Sequence, residues 1–323
     1  MAARQQAMAA GLVPLRHVEA AALMPLLEEE KARWLGLLHW DFTASSELVL
    51  RYASMQAMEG FALMDGPEAV GYVYWVLEEH KGLIGDLYVR NAWRSPENEN
   101  VLLAGAIGEM RRNPWIRRVE AQLMHLAAKG SQVTPAGLRP QSYPRHFMMG
   151  GVSAAAGLRA WNCSCSLRFE PWSMRWLNDA AELIAEVYAD HIDSQINDQY
   201  HTPNGARRFL QNIVQYPGCG QFAAECSWVA VNGMGQMRGL CLSSMVHRTT
   251  GHIAQICLGP ELRGLGGGYE LLRRGIVALA EAGAVEVSLT ATSSNQPAIR
   301  LYERFGLRAI YEFEAMVWDR LWP

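Results

Sequence analysis

The sequence predicts an α/β fold built from two consecutive copies of one strand–strand–helix–strand unit. The main observation is an internal repeat, because the window that begins at Gly85 aligns without a gap with the window that begins at Ala254, 169 residues later. A second observation is the run GLGGG at 264–268, which leads directly into an apolar helix pattern. Length and composition agree with this, since 323 residues of which 50% are apolar correspond to about two folded domains.

Each copy is predicted to run in the order strand, strand, helix and strand. Apolar residues at i, i+1, i+5 and i+8 define one helix face in both copies, starting at Leu102 and at Leu271. The matching strand pairs are predicted at 69–77 with 83–89 and at 237–246 with 252–258. Two later pairs of segments also match: VEAQL from 119 with VEVSL from 285, and GLR from 137 with GLR from 306.

The second copy has further predicted elements ahead of its strand pair. Residues 177–192 and 204–214 are amphipathic and predict two helices. A strand at 222–231 follows, and Asn232-Gly233 predicts a turn into the next strand. Small residues near 150 separate the copies, so the predicted ranges are a first domain at 1–150, a linker at 151–164 and a second domain at 165–323.

Charge and hydropathy exclude several classes of protein. The net charge is −3 and there is no basic run, so nucleic acid is not an expected partner. No segment reaches ~18 consecutive apolar residues, so no membrane association is expected. The N-terminal segment lacks the apolar stretch of a signal peptide, which predicts a cytoplasmic protein. The oligomeric state is left open by the sequence.

The six cysteines do not have the spacing of a metal site. Cys163 and Cys165 form a CxC rather than a CxxC, without a second pair nearby, so no metal is expected. Cys226, Cys241 and Cys257 stand in apolar strand-like runs and are predicted to be buried thiols.

The glycine run predicts a phosphate-binding loop, because unpaired N–H groups at a helix start attract anions and glycine lets a phosphate approach. A P-loop would end in GK[ST], whereas this loop ends in GGYE. A dinucleotide fingerprint, GxGxxG, would need glycine where Tyr269 stands. The third pattern, [QR]xxGx[GA], is met by Arg263, Gly266 and Gly268.

That third pattern resembles the pyrophosphate loop of the GCN5-related N-acetyltransferase (GNAT) family. SNQPAIRLYERFGL at 294–307 is similar to the family's second signature, NxxAxxLYxxxGF, with leucine in place of the last aromatic residue. The resemblance covers 165–323 well and 13–150 weakly. It implies two tandem GNAT-like domains, each with a mixed, mainly antiparallel, splayed sheet flanked by helices. One working half beside one degenerate half is a layout similar to that of mycothiol synthase, and the likeness stops at the layout.

The resemblance also implies acetyl-CoA as co-substrate and an amine, either a small molecule or a peptide, as acceptor. The strand that ends at Leu258 would bind the pantetheine arm through its backbone, and the Leu258 amide would stabilise the oxyanion. The residues implied in acetyl-CoA binding are Cys257, Leu258, Arg263, Gly264, Leu265, Gly266, Gly267, Gly268, Asn295 and Tyr302.

Two side chains are the candidate catalytic groups of the second copy. Tyr302 matches the family's general acid, although a core tyrosine on the apolar helix face is the competing interpretation. The base position, counted back from Arg263, falls on His252, for which an exposed histidine at a strand end is the alternative. Gln255 lies on the same strand and cannot act as a base. The polar segment 190–201 either holds a cationic amine, through Asp190, Asp193, Asp198 and Tyr200, or is a solvated loop.

The first copy departs from the pattern where the phosphate would lie. Its loop reads RSPENEN, so that Glu97 and Glu99 replace Gly266 and Gly268. Two carboxylates beside a pyrophosphate would repel it by ~1 to 4 kcal/mol per pair at 4 Å, depending on the effective dielectric. The sequence therefore predicts a degenerate first domain and an N-acetyltransferase activity in the second. The alternatives are a non-catalytic acyl-CoA sensor or scaffold, and a transferase for another acyl group.

Overall fold

The structure is a computed structural model that describes residues 11–160, 167–216 and 218–319, with the side chains of 155 and 156 left aside. Cys163, Cys165 and the end of the predicted linker lie outside the described residues. The described chain folds into two compact units. Unit 1 comprises 11–36, 42–144 and 313–319, and unit 2 comprises 37–41 and 145–312.

Both units contain strands and helices. The strands are β1 (Gly11–Pro14), β2 (Gly60–Asp65), β3 (Glu68–Glu78), β4 (Lys81–Val89), β5 (Arg118–Gln122), β6 (Gln141–Gly151), β7 (Arg168–Pro171), β8 (Gln221–Phe222), β9 (Trp228–Val231), β10 (Met237–His247), β11 (Thr250–Leu258), β12 (Glu286–Thr292) and β13 (Arg308–Asp319). The α-helices are α1 (Ala20–Leu38), α2 (Thr43–Ser54), α3 (Pro96–Met110), α4 (Ser153–Ala156), α5 (Leu177–Tyr188), α6 (Ile192–Ile196), α7 (Pro203–Gln215), α8 (Gly267–Glu281) and α9 (Gln296–Arg304).

Unit 1 is a mixed sheet in the order β1-β2-β3-β4-β5-β13, where only the β4–β5 pair is parallel. Two apolar clusters make up its core. One cluster contains Leu102, Leu103, Ile107 and Met110 of α3, and the other contains Leu23, Leu26 and Leu27 of α1. The predicted apolar face of the first-copy helix is therefore the face that is buried.

Unit 2 repeats this architecture with the order β6-β12-β11-β10-β9-β7, and β8 pairs with β10. Only the β11–β12 pair is parallel. The predicted helix face, at Leu271, Leu272, Ile276 and Leu279, is fully buried in one apolar cluster, and α5 and α7 contribute to a second. The predicted α/β class, with mainly antiparallel sheets flanked by helices, is confirmed.

The two copies have corresponding strand limits. β3 and β4 have the same limits as β10 and β11 once 169 residues are added. Both parallel pairs also span four residue pairs, from Lys81 in unit 1 and from Thr250 in unit 2. The GLR glycines agree as well, since Gly137 has φ +79° and Gly306 has φ +80°. One predicted match is wrong by two residues, because the pairing makes Val119 equivalent to Val287 rather than to Val285.

The last strand of each copy pairs with a strand of the other copy. β6 follows the first copy, yet its residues Arg145–Gly151 pair with β12 in unit 2. β13 follows the second copy, yet its residues Ala315–Asp319 pair with β5 in unit 1. The compact units therefore differ from the continuous ranges 1–150 and 165–323 that the sequence predicts.

The predicted helix 177–192 is divided in the structure. α5 ends at Tyr188, and His191, in an extended conformation with φ −91° and ψ 148°, begins the short helix α6. The predicted strand 222–231 is likewise divided, into β8 and β9 with a 3-10 turn between them. Within the described ranges, no helix combines the length and the apolar character needed to cross a membrane.

Candidate functional site

The sheet of unit 2 opens between β11 and β12. Their parallel pairing runs from Thr250–Glu286 to Ile253–Leu289, but β11 continues to Leu258. Directly after the last pair, Ala254 is an extra residue in the β10–β11 ladder, which forms a β-bulge. A bulge bends its strand and increases the local twist. The two strands therefore diverge from Ala254 onward, and we call the space between them the wedge.

The glycine loop joins the wedge to α8. Gly264 and Gly266 have φ of +77° and +82°, a left-handed conformation that glycine adopts without strain. Gly266 is the N-cap residue of α8, so the N–H groups of Gly267 and Gly268 lie in the first helical turn, where they have no intrahelical partner. Among the described residues, a Cβ on Gly268 would meet only Leu301, at 3.8 Å, which leaves room for a ligand beside the first turn.

The loop is anchored by an arginine that the sequence analysis did not identify. Arg238 of β10 donates from Nη2 to Glu261 at 2.8 Å and to Glu186 of α5 at 3.0 Å. The N–H of Gly259 donates to the Arg238 carbonyl oxygen at 2.8 Å. Arg238 therefore holds both the start and the middle of the loop, while Arg263 and Leu265 of the same loop are exposed.

Both residues predicted from the second signature lie on α9. Asn295 is the N-cap residue, and its Oδ1 accepts the Ala298 N–H at 3.4 Å. Tyr302 is 7% exposed and belongs to the apolar cluster that includes Tyr269 and Phe305. Burial raises the pKa of Tyr302 well above its usual value, so that the hydroxyl remains a proton donor at neutral pH.

His252 lies where β11 and β12 are still paired, before the wedge opens. It is 5% exposed, its Nδ1 lies 2.9 Å from Ser288 Oγ, and its ring packs on Trp40 and Phe147. Burial lowers the pKa of His252 to about 3, which keeps the imidazole neutral. This is the environment of a packed core histidine rather than of the exposed strand-end histidine considered above, and its role as the base stays a prediction.

A polar group lines the β11 side of the wedge. The Gln255 amide nitrogen donates to the Tyr188 hydroxyl at 2.9 Å, and the Tyr200 hydroxyl donates to Gln255 Oε1 at 3.4 Å. The Tyr188 hydroxyl also lies 3.4 Å from the Ile256 carbonyl oxygen. Burial raises the pKa of both tyrosines, so these hydroxyls are neutral hydrogen-bonding groups.

A second polar group lines the β12 side. The hydroxyl of Thr292, the last residue of β12, donates to Asp193 Oδ1 at 2.5 Å. His191 lies beside this carboxylate, with Nδ1 3.8 Å from Asp193 Oδ2, and its Nε2 lies 3.3 Å from the Asn295 amide nitrogen. Asp193 therefore belongs to an ordered polar group, whereas Asp190 is exposed. The sequence pointed to the polar segment 190–201 but did not identify His191.

The matching loop of unit 1 makes internal contacts instead. Glu99 is 1% exposed and accepts the N–H groups of Ala127 and Ala128 at 2.7 and 2.8 Å. Arg94 donates to the His125 carbonyl oxygen at 2.6 Å and lies 3.8 Å from Glu99. Glu99 is thus turned inward as a structural acceptor and is not the charge beside an open phosphate site that the sequence suggested. Glu97 remains on the surface.

Bulky and acidic side chains stand at the corresponding point of unit 1. Gly85, the equivalent of Ala254, is covered by the Tyr74 ring, which would lie 2.2 Å from an added Cβ. The Tyr72 hydroxyl lies 2.9 Å from Glu30 and 3.0 Å from Asp86, the equivalent of Gln255. Burial raises the pKa of both carboxyl groups.

Comparison with known proteins adds independent findings. Residues 186–307 match the model of the Acetyltransferase (GNAT) family. The curated N-alpha-acetyltransferase MAK3 of Arabidopsis thaliana is 40% identical over 76 residues, which cover 21% of this chain and 40% of that protein. The chain therefore spans well under two thirds of the length of this relative.

Solved structures share the fold over nearly the whole chain. A GCN5-related N-acetyltransferase from Sphaerobacter thermophilus has a TM-score of 0.66 at 19% identity. The match covers 97% of this chain and 96% of that protein's chain. A tandem GNAT protein from the clavulanic acid biosynthesis pathway has a TM-score of 0.60 at 15% identity, with 97% and 99% covered. At these identities the likeness establishes the fold alone.

Proposed function

We propose that unit 2, in which residues 186–307 match the model of the Acetyltransferase (GNAT) family, transfers an acetyl group from acetyl-CoA to a primary amine. The products are the N-acetylated amine and CoA. The observation that carries the proposal is the continuity of the wedge with the glycine loop, because one strand, β11, leads from the divergence point at Ala254 directly into the loop after Leu258.

The chain offers a suitable group for each part of acetyl-CoA. The first turn of α8 would bind the pyrophosphate through the Gly267 and Gly268 amides, where the helix dipole is positive. Arg263 is exposed beside this turn and supplies a positive charge. Cys257 is buried and burial raises the pKa of its thiol, so its backbone rather than its side chain would serve the pantetheine arm.

The proposed reaction needs an oxyanion donor and an acid. Bound acetyl-CoA supplies the activated thioester. The Leu258 N–H, at the end of β11, would donate to the carbonyl oxygen as negative charge develops there. Tyr302 would donate its proton to the departing sulfur, a step that typically contributes about 10² to 10⁴ to the rate.

The test measures acetyl-CoA binding by calorimetry and acetyl transfer to a panel of amines. Gly268→Glu is expected to weaken binding at least about tenfold, because a carboxylate in the first turn of α8 repels the pyrophosphate. The control is Ala282→Glu, which adds the same charge at the opposite end of α8 and should leave the affinity within about twofold. Equal affinities of the wild type and Gly268→Glu would contradict the site.

Tyr302→Phe tests the chemistry separately. The variant is expected to bind acetyl-CoA normally and to lose about 10²-fold in kcat, because the leaving thiolate lacks its proton donor. An unchanged kcat across the amine panel would remove the acid role. Acetyl-CoA binding by the wild type without transfer to any amine would favour the sensor alternative.

A further inference from the structure

The segment from Tyr188 to Tyr200 contacts both walls of the wedge. On the β11 side, Tyr188 and Tyr200 bond to Gln255. On the β12 side, Asp193 accepts the Thr292 hydroxyl. The segment therefore connects the two strands between which the thioester would bind, and this inference rests on the function proposed above.

His191 is the basic side chain in that position. Its side chain is 25% exposed, so protons can reach solvent, whereas His252 is enclosed. When Nε2 accepts a hydrogen bond from the Asn295 amide, 3.3 Å away, the neutral ring carries its proton on Nδ1. That proton then faces the Asp193 carboxylate, which lies 3.8 Å from Nδ1.

A second contact of the ring requires the other neutral tautomer, in which the proton is on Nε2. The Asp193 N–H lies 3.2 Å from the same Nδ1 and makes His191 the N-cap of α6. A protonated imidazole loses that acceptor but gains charge attraction to the carboxylate. Protonation of Nε2 would end its contact with the Asn295 amide, and protonation of Nδ1 would end its contact with the Asp193 N–H.

The imidazole lies beside one carboxylate and one aromatic ring. Asp193 supplies the negative charge, fixed by the Thr292 hydroxyl. The Tyr188 ring meets the imidazole edge-on, 5.0 Å between centroids, and its raised pKa keeps it neutral. Tyr302 lies within electrostatic reach of Asp193 and Arg145, and its raised pKa keeps it neutral as well.

We propose that His191 is the general base that accepts the proton of the acceptor ammonium, and that Asp193 positions the ring and stabilises the imidazolium. The ammonium proton passes to Nε2 of His191, which gives up its contact with the Asn295 amide, and from there to water. The free amine then forms the C–N bond while the C–S bond breaks and the sulfur takes the Tyr302 proton. The second proton lost by the nitrogen restores Tyr302, so one proton is released per turnover.

The experiment compares kcat/KM against pH for the wild type, His191→Asn, Asp193→Asn and His201→Gln. Asparagine is a good N-cap residue, so His191→Asn keeps the start of α6 while it removes the base. The control His201→Gln changes an exposed histidine of the same segment. All four proteins are first titrated with acetyl-CoA, and equal Kd values show that the fold and the coenzyme site are intact.

His191→Asn is expected to lower kcat/KM about 10²-fold with a strongly basic amine, because the ammonium then has no base to accept its proton. Asp193→Asn is expected to lower kcat/KM as well, because the imidazolium loses its counter-charge. A weakly basic amine, already neutral at the assay pH, should lose much less rate in His191→Asn than a strongly basic amine. A merely structural role of His191 would not produce this dependence on the amine.

An active wild type with unchanged rate and pH profile in His191→Asn would overturn the role of His191 alone. Equal losses for weakly and strongly basic amines would also overturn it. If the wild type binds acetyl-CoA but transfers its acetyl group to no amine, both this inference and the proposed function are overturned.

Discussion

The enclosure of His252 gives it a role in stability that can be separated from catalysis. Trp40 and Phe147 cover the ring, and Ser288 bonds to Nδ1. Since burial lowers the pKa of His252 to about 3, the folded protein leaves it neutral where the unfolded chain, with a histidine pKa near ~6.5, protonates it. Lowering the pH from about 6.5 therefore favours the unfolded state.

We expect His252→Phe to reduce this acid sensitivity. Each proton taken up only by the unfolded chain removes up to about 1.4 kcal/mol of the free energy of unfolding per pH unit. The Ser288 hydroxyl keeps the Gly251 carbonyl oxygen as an acceptor, so the substitution leaves no unsatisfied donor there. The midpoint of urea unfolding, followed by fluorescence at pH 7 and pH 5, should fall less in His252→Phe than in the wild type.

The exposed His201 supplies the control, because His201→Gln should keep the wild-type difference between the two pH values. An identical fall of the midpoint in His252→Phe and in the wild type would show that His252 does not titrate on unfolding as its burial requires.

The sequence predicts the role of a single residue only where that role depends on its immediate neighbours in the chain. The roles of Gly264 and Gly266 follow from a conformation that favours glycine, and both have positive φ. Glu99 was placed on the right loop but assigned the wrong orientation, because its partners, the Ala127 and Ala128 amides, are distant in sequence. His191 was not identified, since its significance arises only when Thr292 and Asn295 are brought beside it.

The glycine loop depends on an anchor that belongs to other elements. Arg238 on β10 connects Glu261 in the loop with Glu186 on α5, and the side chain of Arg238 is 21% exposed. The guanidinium lowers the pKa of Glu261, which keeps the pair charged. A loop that is already fixed loses less conformational entropy when it binds a ligand.

We expect Arg238→Gln to weaken acetyl-CoA binding by about fivefold to tenfold. The free energy of unfolding should change by less than about 1 kcal/mol, because partly exposed ion pairs contribute little. The control is Arg175→Gln, which removes the exposed ion pair with Glu170 in the same unit. Calorimetry measures the acetyl-CoA affinity of the two variants. Equal affinities would show that the Arg238 contacts do not organise the loop.

The limits of helices were harder to predict than their existence. The periodicity of 177–192 continues past Tyr188, but the chain leaves the helix there and His191 caps a new one. Histidine is not among the preferred N-cap residues, so the pattern contained no signal for the break. That break creates the segment that contacts both walls of the wedge.

The repeat predicted the paired strands β3–β4 and β10–β11, but not how the sheets are completed. β6 pairs with β12, and β13 pairs with β5, so the last strand of each copy joins the penultimate strand of the other. Alternation of apolar residues predicts which face of a strand is buried, but it does not identify the neighbouring strand. The non-contiguous units are therefore a property that only the three-dimensional structure provides.

The repeat also pairs two arginines whose environments differ, and this pair tests which unit binds acetyl-CoA. Arg94 is held by the His125 carbonyl oxygen and lies beside the buried Glu99, whereas Arg263 is exposed at the glycine loop. We expect one acetyl-CoA per chain. Arg263→Ala should weaken its binding about tenfold with little effect on stability, because the variant loses a charge beside the pyrophosphate.

Arg94→Ala should have the opposite effects. The acetyl-CoA affinity should stay within about twofold, while unfolding becomes easier by about 1 to 3 kcal/mol, because a buried carbonyl oxygen loses its donor and Glu99 loses a nearby positive charge. Calorimetry and urea unfolding of both variants measure the four quantities. Two acetyl-CoA molecules per chain, or a loss of binding in Arg94→Ala, would mean that unit 1 retains a coenzyme site despite Glu99 and Tyr74.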